Sequence, residues 1–164
     1  MQKVCPKPLT REAFAKFGDV IDTSSEDIRS INEGNTERFH DLASLDLLSD
    51  GGRPSVNIFR STPLNAPIHV KMMERHPKSS QAFFPLGDSP YIVIVAPAGE
   101  LDMRQAEVFI ASSDQGVNYH KGTWHHYSLA TEKVSDFLVI DRIADDENCD
   151  EVTLAEPEQI WVAF

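Results

Sequence analysis

The segment IHVKMMERHPKSSQAFFP, residues 68–85, decides the fold class because it contains two strand-like runs separated by a turn. Apolar and polar side chains largely alternate over 68–75, and a second apolar run covers 81–86. The intervening Pro-Lys-Ser-Ser has the composition of a turn. A period of two with short connections is typical of antiparallel β-structure. The segment therefore predicts two successive strands.

The same pattern repeats on both sides of this segment. Further strands are predicted at 55–60, 91–96, 106–112, 124–130 and 136–142, each bounded by turn-forming residues. Many short strands at regular spacing, with no helices between them, favour an antiparallel sandwich or barrel. The sequence thus predicts an all-β fold from residue 55 onward.

Helical signals are confined to the first part of the chain. Thr10 can cap a short helix over 11–17, which Gly18 would end. Residues 36–49 are ambiguous, because three of their leucines are spaced as in a helical stripe. No linker is visible, and the length suits one domain of about 100–150 residues or slightly more. We expect a single domain over 1–164.

The composition limits the partners and the compartment. A net charge of −11 without a basic stripe is unfavourable for nucleic acids and anionic membranes. Cys5 and Cys149 lack any metal-binding spacing and fit a reducing compartment. The first residues lack the apolar core of a secretory leader, and the apolar run 91–98 is too short to span a bilayer. We expect a cytoplasmic protein with neither a nucleic-acid nor a membrane partner.

The first candidate site lies at the end of the 68–76 run. Alternation places its apolar residues Ile68, Val70 and Met72 on one face with Glu74 and His76. A carboxylate and an imidazole on an inward face require a cation, a substrate or a hydrogen-bond network as partner. The alternative is that both groups emerge into solvent at a barrel mouth. Gln81 heads the inward row of the next strand and adds a polar group at the same end.

The second candidate site is the segment GVNYHKGTWHH, residues 116–126. Three of the six histidines lie within seven residues here, and Gly122 precedes His125 by three positions. Imidazole is the side chain best suited to act as ligand, acid or base near neutral pH. An accidental surface cluster is the alternative.

These two segments resemble the paired motifs of cupins. The first motif corresponds to Glu74-x-His76-x4-Gln81 and the second to His120-x-Gly122-x-x-His125. Glu74 and Gln81 replace two of the usual metal ligands, and a glutamine is a weak neutral ligand. The resemblance implies a cupin-type double-stranded β-helix, a jelly-roll barrel preceded by the short N-terminal helix. It also implies that Glu74, His76, Gln81 and His125 converge inside the barrel as a metal-ligand set.

The chain also resembles one particular family, the ureidoglycolate lyases, formerly called hydrolases. The resemblance is carried by NEGNTERFHDLA (32–43), ERHPKSSQAFFP (74–85), GVNYHKGTWHH (116–126) and DFLVIDR (136–142), and it covers nearly the whole chain. It implies a cytoplasmic homodimer that splits ureidoglycolate into glyoxylate and urea in allantoin (purine) catabolism. It further implies nickel as an associated divalent metal and no organic cofactor.

The implied reaction assigns roles to the candidate residues. Breaking the carbon–nitrogen bond of ureidoglycolate requires removal of a hydroxyl proton and protonation of the departing urea. Glu74, His76 and, after them, His125 are the candidates for these transfers. The sequence leaves open which of them is the base and whether a divalent metal is required.

Other polar residues are candidates for substrate binding. Arg38 suits the substrate carboxylate, because arginine binds carboxylates with two parallel hydrogen bonds, although it can equally be a surface arginine. Arg75, Lys121 and Arg142 are the other basic candidates. Gln81, Asn118 and Tyr119 suit the urea end, with His120 beside them. We expect Phe83, Trp124 and Phe137 to be core residues, Asp141 and Arg142 to form an ion pair, and the apolar tail 157–164 to pack on the barrel or on a second subunit.

Two other function classes remain open. A metal-dependent oxygenase or isomerase on the same scaffold would normally need the full set of histidine and glutamate ligands. A non-catalytic barrel that binds a small molecule would need no acid and base in one pocket.

Overall fold

Short runs of alternating side chains fold into strands along most of the chain. The computed structural model describes residues 2–164. Its strands are β1 (Gln2–Val4), β2 (Lys7–Pro8), β3 (Gly18–Ile21), β4 (Ile28–Ile31), β5 (Thr36–Phe39), β6 (Arg53–Ser61), β7 (Ile68–Val70), β8 (Met72–Arg75), β9 (Gln81–Pro85), β10 (Tyr91–Ala96), β11 (Glu107–Ala111), β12 (Gly116–Tyr119), β13 (Trp124–His125), β14 (Leu129–Ala130), β15 (Ser135–Ile143), β16 (Asp150–Thr153) and β17 (Ile160–Val162). The α-helix α1 covers Arg11–Phe14, and short 3-10 helices cover Asn32–Gly34, Ser49–Gly51, Met103–Gln105 and Glu156–Glu158.

Two sheets enclose the inner core. One sheet has the order β16-β8-β13-β10-β11-β2, with β14 also paired to β10, and the other has the order β3-β12-β9-β15-β6. The chain passes from one sheet to the other between β8, β9 and β10, and again between β11, β12 and β13. Val93 and Val95 of the first sheet pack with Phe83, Val117 and Phe137 of the second. The expected all-β jelly-roll barrel is confirmed.

A third, smaller sheet covers the outside of the first one. It has the order β1-β17-β7, and its Val70, Ile160 and Val162 pack against Ile92 and Ile94 of β10. The C-terminal tail therefore packs within its own subunit, between β1 and β7. The β10 strand is buried on both faces because it lies between the inner core and this outer core.

The N-terminal helix begins where the sequence predicts. The hydroxyl of Thr10 accepts a hydrogen bond from the Ala13 amide at 3.2 Å. The helix α1 ends earlier than expected, in a turn in which the Phe17 amide donates to the Phe14 carbonyl at 2.8 Å. Gly18 then enters β3 so close to β12 that a Cβ would lie 1.9 Å from the Asn118 carbonyl oxygen. Only glycine allows this approach.

The leucine spacing of 36–49 does not produce a helix. Residues 36–39 form β5, and 40–48 have no regular structure. Leu45 and Leu48 are exposed, whereas Leu47 is buried. The leucines therefore do not share one buried face, and the helical alternative is wrong.

Two predicted strands are interrupted, and the interruptions change which core their side chains meet. The 68–75 run breaks at Lys71, whose carbonyl accepts a hydrogen bond from the Leu154 amide at 2.8 Å. Before the break β7 pairs with β17, and after it β8 pairs with β13 and β16. As a result, Val70 and Met73 both pack in the outer core. The expectation that Val70 shares a face with Glu74 is wrong.

The 124–130 run breaks in the same way. It forms β13 and β14, with Tyr127 exposed between them. Trp124 and Leu129 both belong to the outer core, although uninterrupted alternation would put them on opposite faces. The three predicted core aromatics, Phe83, Trp124 and Phe137, are all buried.

Two apolar features are left on the surface. Strands β4 and β5 form a hairpin that pairs with no other strand of residues 2–164, and its Ile28 and Ile31 are exposed. Val56 and Ile58 are exposed on β6, the edge strand of the five-stranded sheet. Within the described residues, helices are all too short, or too polar, to cross a membrane.

Candidate active site

Two neighbouring strands direct a carboxylate and an imidazole into one end of the barrel. Glu74 on β8 lies directly opposite His125 on β13, and His125 lies opposite the inward-facing Val95. Glu74 Oε1 is 3.7 Å from His125 Nδ1. His76 follows β8, and its ring centroid is 5.2 Å from that of His125. One ligand atom from each of these three residues lies within 4.8 Å of the other two.

His76 is held on both sides by oxygen atoms. Its Nδ1 is 2.8 Å from the Asn148 carbonyl oxygen, and its Nε2 is 3.0 Å from Gln81 Oε1. Gln81 Nε2 donates to Asp141 Oδ2 at 3.2 Å. Because a carboxylate offers only acceptors, the amide group of Gln81 must face Asp141, and its oxygen must face His76. His76 makes both of its hydrogen bonds only when both ring nitrogens carry a proton.

His125 differs from His76 because only one of its two ring nitrogens has a hydrogen-bond partner. Its Nδ1 donates to the His126 carbonyl oxygen at 3.1 Å, so the lone pair belongs to Nε2. This Nε2 is buried and has no hydrogen-bond partner. Burial, and after it the positive charge of His76, lowers the pKa of His125 to about 3. The ring is therefore neutral at neutral pH, and it stacks on Tyr119 with centroids 4.3 Å apart.

Glu74 is a stronger base than an ordinary carboxylate. Partial burial raises its pKa, the charge of His76 lowers it, and the charge of Glu151 raises it further. Burial disfavours the charged form, whereas the nearby imidazolium stabilises it. The side chain thus combines an elevated basicity with a position beside both imidazoles.

The donor set of this site fits a divalent metal ion. Two imidazoles and one carboxylate are common ligands of transition metals, and the orphaned Nε2 of His125 is a ready lone pair. Gln81 Oε1, from the fourth residue of the expected ligand set, lies 3.0 Å from His76 Nε2. When His76 is neutral and its proton is on Nδ1, the lone pair of Nε2 faces the lone pairs of Gln81 Oε1. A bound cation would remove this repulsion.

A second group of ligand atoms, from Glu74, Cys149 and Glu151, also lies within 4.8 Å. Burial, and then the charges of three acidic residues, raise the pKa of the Cys149 thiol. Because metal ions bind the thiolate, this group is the poorer metal site.

Three of the predicted substrate-binding residues are not part of the cluster. Asn118 donates to Asp19 Oδ2 and to the Ser44 carbonyl, both at 2.9 Å, and His120 lies 3.1 Å from Asp19 Oδ1. Asn118 points to the side of β12 away from Tyr119, because successive strand residues point in opposite directions, and His120, which directly follows β12, lies against the same Asp19 carboxylate. Arg38 lies on the exposed hairpin strand β5 and makes no side-chain hydrogen bond or ion pair within residues 2–164. Tyr119 and Gln81, by contrast, contact the histidines.

The structure adds residues that the sequence analysis did not select. Asp141 binds Gln81, and Asn57 Nδ2 donates to Asp141 Oδ1 at 3.0 Å. The expected Asp141–Arg142 ion pair is wrong, because Arg142 points to the opposite face and binds Asp146, with Nη1 2.8 Å from Oδ1. Alternation along β15 is the signal that could have identified Asp141 as inward-facing.

The cluster contains no lysine or arginine. Within residues 2–164, the hydrogen bonds and ion pairs of Glu74, His76, Gln81 and His125 involve no lysine or arginine. Arg75, the nearest basic residue along the chain, is turned outward to Asp150, with Nε 2.8 Å from Oδ2.

Comparison with known proteins identifies close relatives. A family model described as ureidoglycolate lyase matches residues 1–162. The chain is 53% identical to a ureidoglycolate lyase of Burkholderia mallei over 162 residues, which is 99% of this chain and 94% of the relative. It is 45% identical to one of Pseudomonas aeruginosa over 155 residues, 94% of this chain and 92% of the relative.

Among solved structures, the chain has a weak likeness to an oxalate decarboxylase–formate complex of Lactobacillus farciminis. The TM-score is 0.39 at 14% identity, with 62% of this chain and 26% of the other covered. This likeness is too low to bear on function.

Proposed function

Because the chain belongs to the ureidoglycolate lyase family, it is a lyase that cleaves ureidoglycolate, and we propose that Glu74 and His76 carry out its two proton transfers. The substrate has a carbon that bears a hydroxyl, a carboxylate and a urea nitrogen. A base removes the hydroxyl proton, the carbonyl of glyoxylate forms, and the electrons of the breaking carbon–nitrogen bond go to urea nitrogen. An acid then supplies the proton that completes urea.

Glu74 is the proposed base. Its raised pKa brings its basicity closer to neutral pH, where general bases are most effective. His125 is a much weaker base, with a pKa of about 3. Its buried, unpartnered Nε2 is instead suited to accept a hydrogen bond from the substrate.

His76 is the proposed acid. The observation that carries this assignment is that both of its ring nitrogens face carbonyl-type oxygens, from Asn148 and Gln81. Each oxygen can accept a hydrogen bond from a protonated ring nitrogen, and the doubly protonated ring can give a proton to the departing nitrogen. Gln81 and Tyr119 contact the two imidazoles and are the proposed neutral partners of the urea group.

We further propose that Glu74, His76, Gln81 and His125 can hold a divalent cation, nickel by family resemblance, in a form of the protein in which His76 is neutral and does not serve as the acid. When bound, such a cation would supply Lewis acidity that lowers the pKa of a coordinated hydroxyl. In titration calorimetry with Ni²⁺, we expect one site per chain, and we expect His125→Ala to weaken binding at least about 10-fold. His120→Ala is the matched control, since His120 lies outside the cluster. Absence of Ni²⁺ binding, or equal affinity of His125→Ala, would contradict the cation site.

We propose that Arg38 binds the substrate carboxylate, because the cluster contains no lysine or arginine of its own. We expect Arg38→Ala to raise KM about 10–100-fold with a smaller change in kcat, as the loss of a charged hydrogen-bonded pair predicts. Arg29→Ala is the control: Arg29 lies directly opposite Arg38 in the hairpin but is bound to Asp27, with Nε 3.2 Å from Oδ1. Equal KM values for Arg38→Ala and the wild type would exclude this role.

We propose that the protein is a homodimer and that the exposed face of β6 contributes to the contact. Val56 and Ile58 lie opposite Ile140 and Leu138, which makes a continuous apolar strip on the outside of the five-stranded sheet. In sedimentation velocity, Ile58→Asp should shift the protein to monomer. An unchanged sedimentation coefficient would place the contact elsewhere.

The family name and the two free cysteines support a cytoplasmic place for this enzyme in allantoin catabolism, which we also propose. The function itself is tested by incubating purified protein with ureidoglycolate and measuring glyoxylate and urea together. Equal release of both is the expected result. Release of ammonia in place of urea would indicate hydrolysis of the amide, and no release above the uncatalysed rate would leave a binding protein.

A further inference from the structure

A row of polar side chains crosses the inner face of the five-stranded sheet next to the catalytic cluster. It consists of Asn57 on β6, Asp141 on β15 and Gln81 on β9. Asn57 Nδ2 donates to Asp141 Oδ1 at 3.0 Å, and Gln81 Nε2 donates to Asp141 Oδ2 at 3.2 Å. The strand register allows both contacts. Asn57 lies opposite Val139, two residues before Asp141 on the same face of β15, and Gln81 and Asp141 directly adjoin the paired residues Ala82 and Ile140. Each oxygen of the Asp141 carboxylate is thereby used by one amide.

This row determines which end of the Gln81 amide faces the site. An amide of this kind has two nearly equal shapes, with its oxygen and its NH₂ group exchanged. The exchanged orientation would put the amide oxygen against the Asp141 carboxylate, an acceptor against an acceptor. Asn57 Nδ2 donates to Oδ1 of Asp141, which holds the carboxylate with Oδ2 directed at Gln81. Only the orientation with Oε1 toward His76 satisfies every group.

We infer that Asp141, supported by Asn57, is a positioning residue that fixes the carbonyl end of Gln81 toward His76. It touches neither the proposed acid nor the proposed base, and it acts through Gln81 alone. This inference rests on the proposed function, because it assumes that His76 takes part in turnover of ureidoglycolate.

The competing explanation is that Asp141 only stabilises the pairing of β6, β15 and β9. The two explanations differ in how mutations combine. A residue that acts only through Gln81 has nothing left to position once Gln81 is removed, whereas a stabilising residue causes the same loss in either background.

The experiment is a double-mutant cycle with ureidoglycolate as substrate. We expect Asp141→Ala to lower kcat about 10–100-fold, the range for residues that orient a functional group, with little change in KM. Gln81→Ala should lower kcat to a similar degree. The double variant should match Gln81→Ala within about 2-fold. Multiplied losses in the double variant would overturn the inference.

Two further variants test the orientation of the Gln81 amide directly. They keep the inference testable if Asp141→Ala does not fold. In Asp141→Asn, the new amide can donate or accept, so both orientations of Gln81 become allowed, and kcat should fall between the wild type and Asp141→Ala. Asn57→Ala should give a smaller loss that vanishes in the Asp141→Ala background. Wild-type kcat in both variants would overturn the positioning role.

The control is Asp136→Ala, which removes another carboxylate from β15, one bound to Arg60 at 2.8 Å. It should leave kcat unchanged, and a loss equal to that of Asp141→Ala would assign the effect to the strand as a whole. If the wild type itself releases no glyoxylate and urea, the proposed function fails. If the wild type is active but the cycle is multiplicative, only the positioning role fails.

Discussion

Glu74→Gln should lower kcat about 10²–10⁴-fold, the contribution typical of a general base. The amide has nearly the same shape as the carboxylate but cannot accept the hydroxyl proton. The melting temperature should stay the same or rise slightly, because partial burial raises the pKa of Glu74 and so makes its charged form unfavourable in the folded state. Steady-state kinetics and thermal melting on the same preparation check both parts.

Glu151→Gln is the matched control for this substitution. Glu151 lies directly opposite Glu74 on the neighbouring strand β16, but its side chain is exposed. Its removal takes away one nearby negative charge without touching the proposed proton transfer, so we expect kcat within about 3-fold of the wild type. Retained turnover in Glu74→Gln would remove Glu74 from the mechanism.

Phe137→Ala should lower the free energy of unfolding by about 3–5 kcal/mol, as is typical of a buried phenylalanine. Phe137 is 1% exposed, and its ring packs edge-on against Tyr91 at a centroid distance of 5.1 Å. Its removal leaves a cavity in the inner core that the rigid sheets on either side cannot close. Urea unfolding measured by circular dichroism gives the free energy.

Leu48→Ala is the control, since Leu48 is 72% exposed and should change the free energy of unfolding by less than about 0.5 kcal/mol. Below the unfolding transition, Phe137→Ala should keep its kcat, because its ring belongs to the inner core rather than to the catalytic cluster. A loss below about 1 kcal/mol would mean that the core relaxes around the missing ring.

The residues of the cluster could be found from the sequence because their positions depend on local spacing. Glu74, His76 and Gln81 are fixed by one strand, one turn and the start of the next strand, and His125 by its distance from Gly122. Such short spacings do not depend on where the predicted strands begin and end. The structure brings these four side chains together accordingly.

The remaining contacts depend on partners that are distant in the sequence. At the break, the Lys71 carbonyl accepts a hydrogen bond from the Leu154 amide, and nothing near Lys71 in the sequence indicates that partner. Asp141 and Arg142 look like an ion pair as neighbours, yet they point to opposite faces of β15 and bind Gln81 and Asp146. Alternation over nine residues of β15 would have separated them.

The change of core at Lys71 also restricts how this chain can vary over evolutionary time. The outer core fixes Val70 and Met73, and the inner site fixes Glu74, so the number of residues between them cannot change by one. A single-residue insertion or deletion there would rotate the carboxylate out of the barrel while leaving most of the fold intact. Members of the family should therefore tolerate exchanges of residue type in this stretch far better than differences in its length.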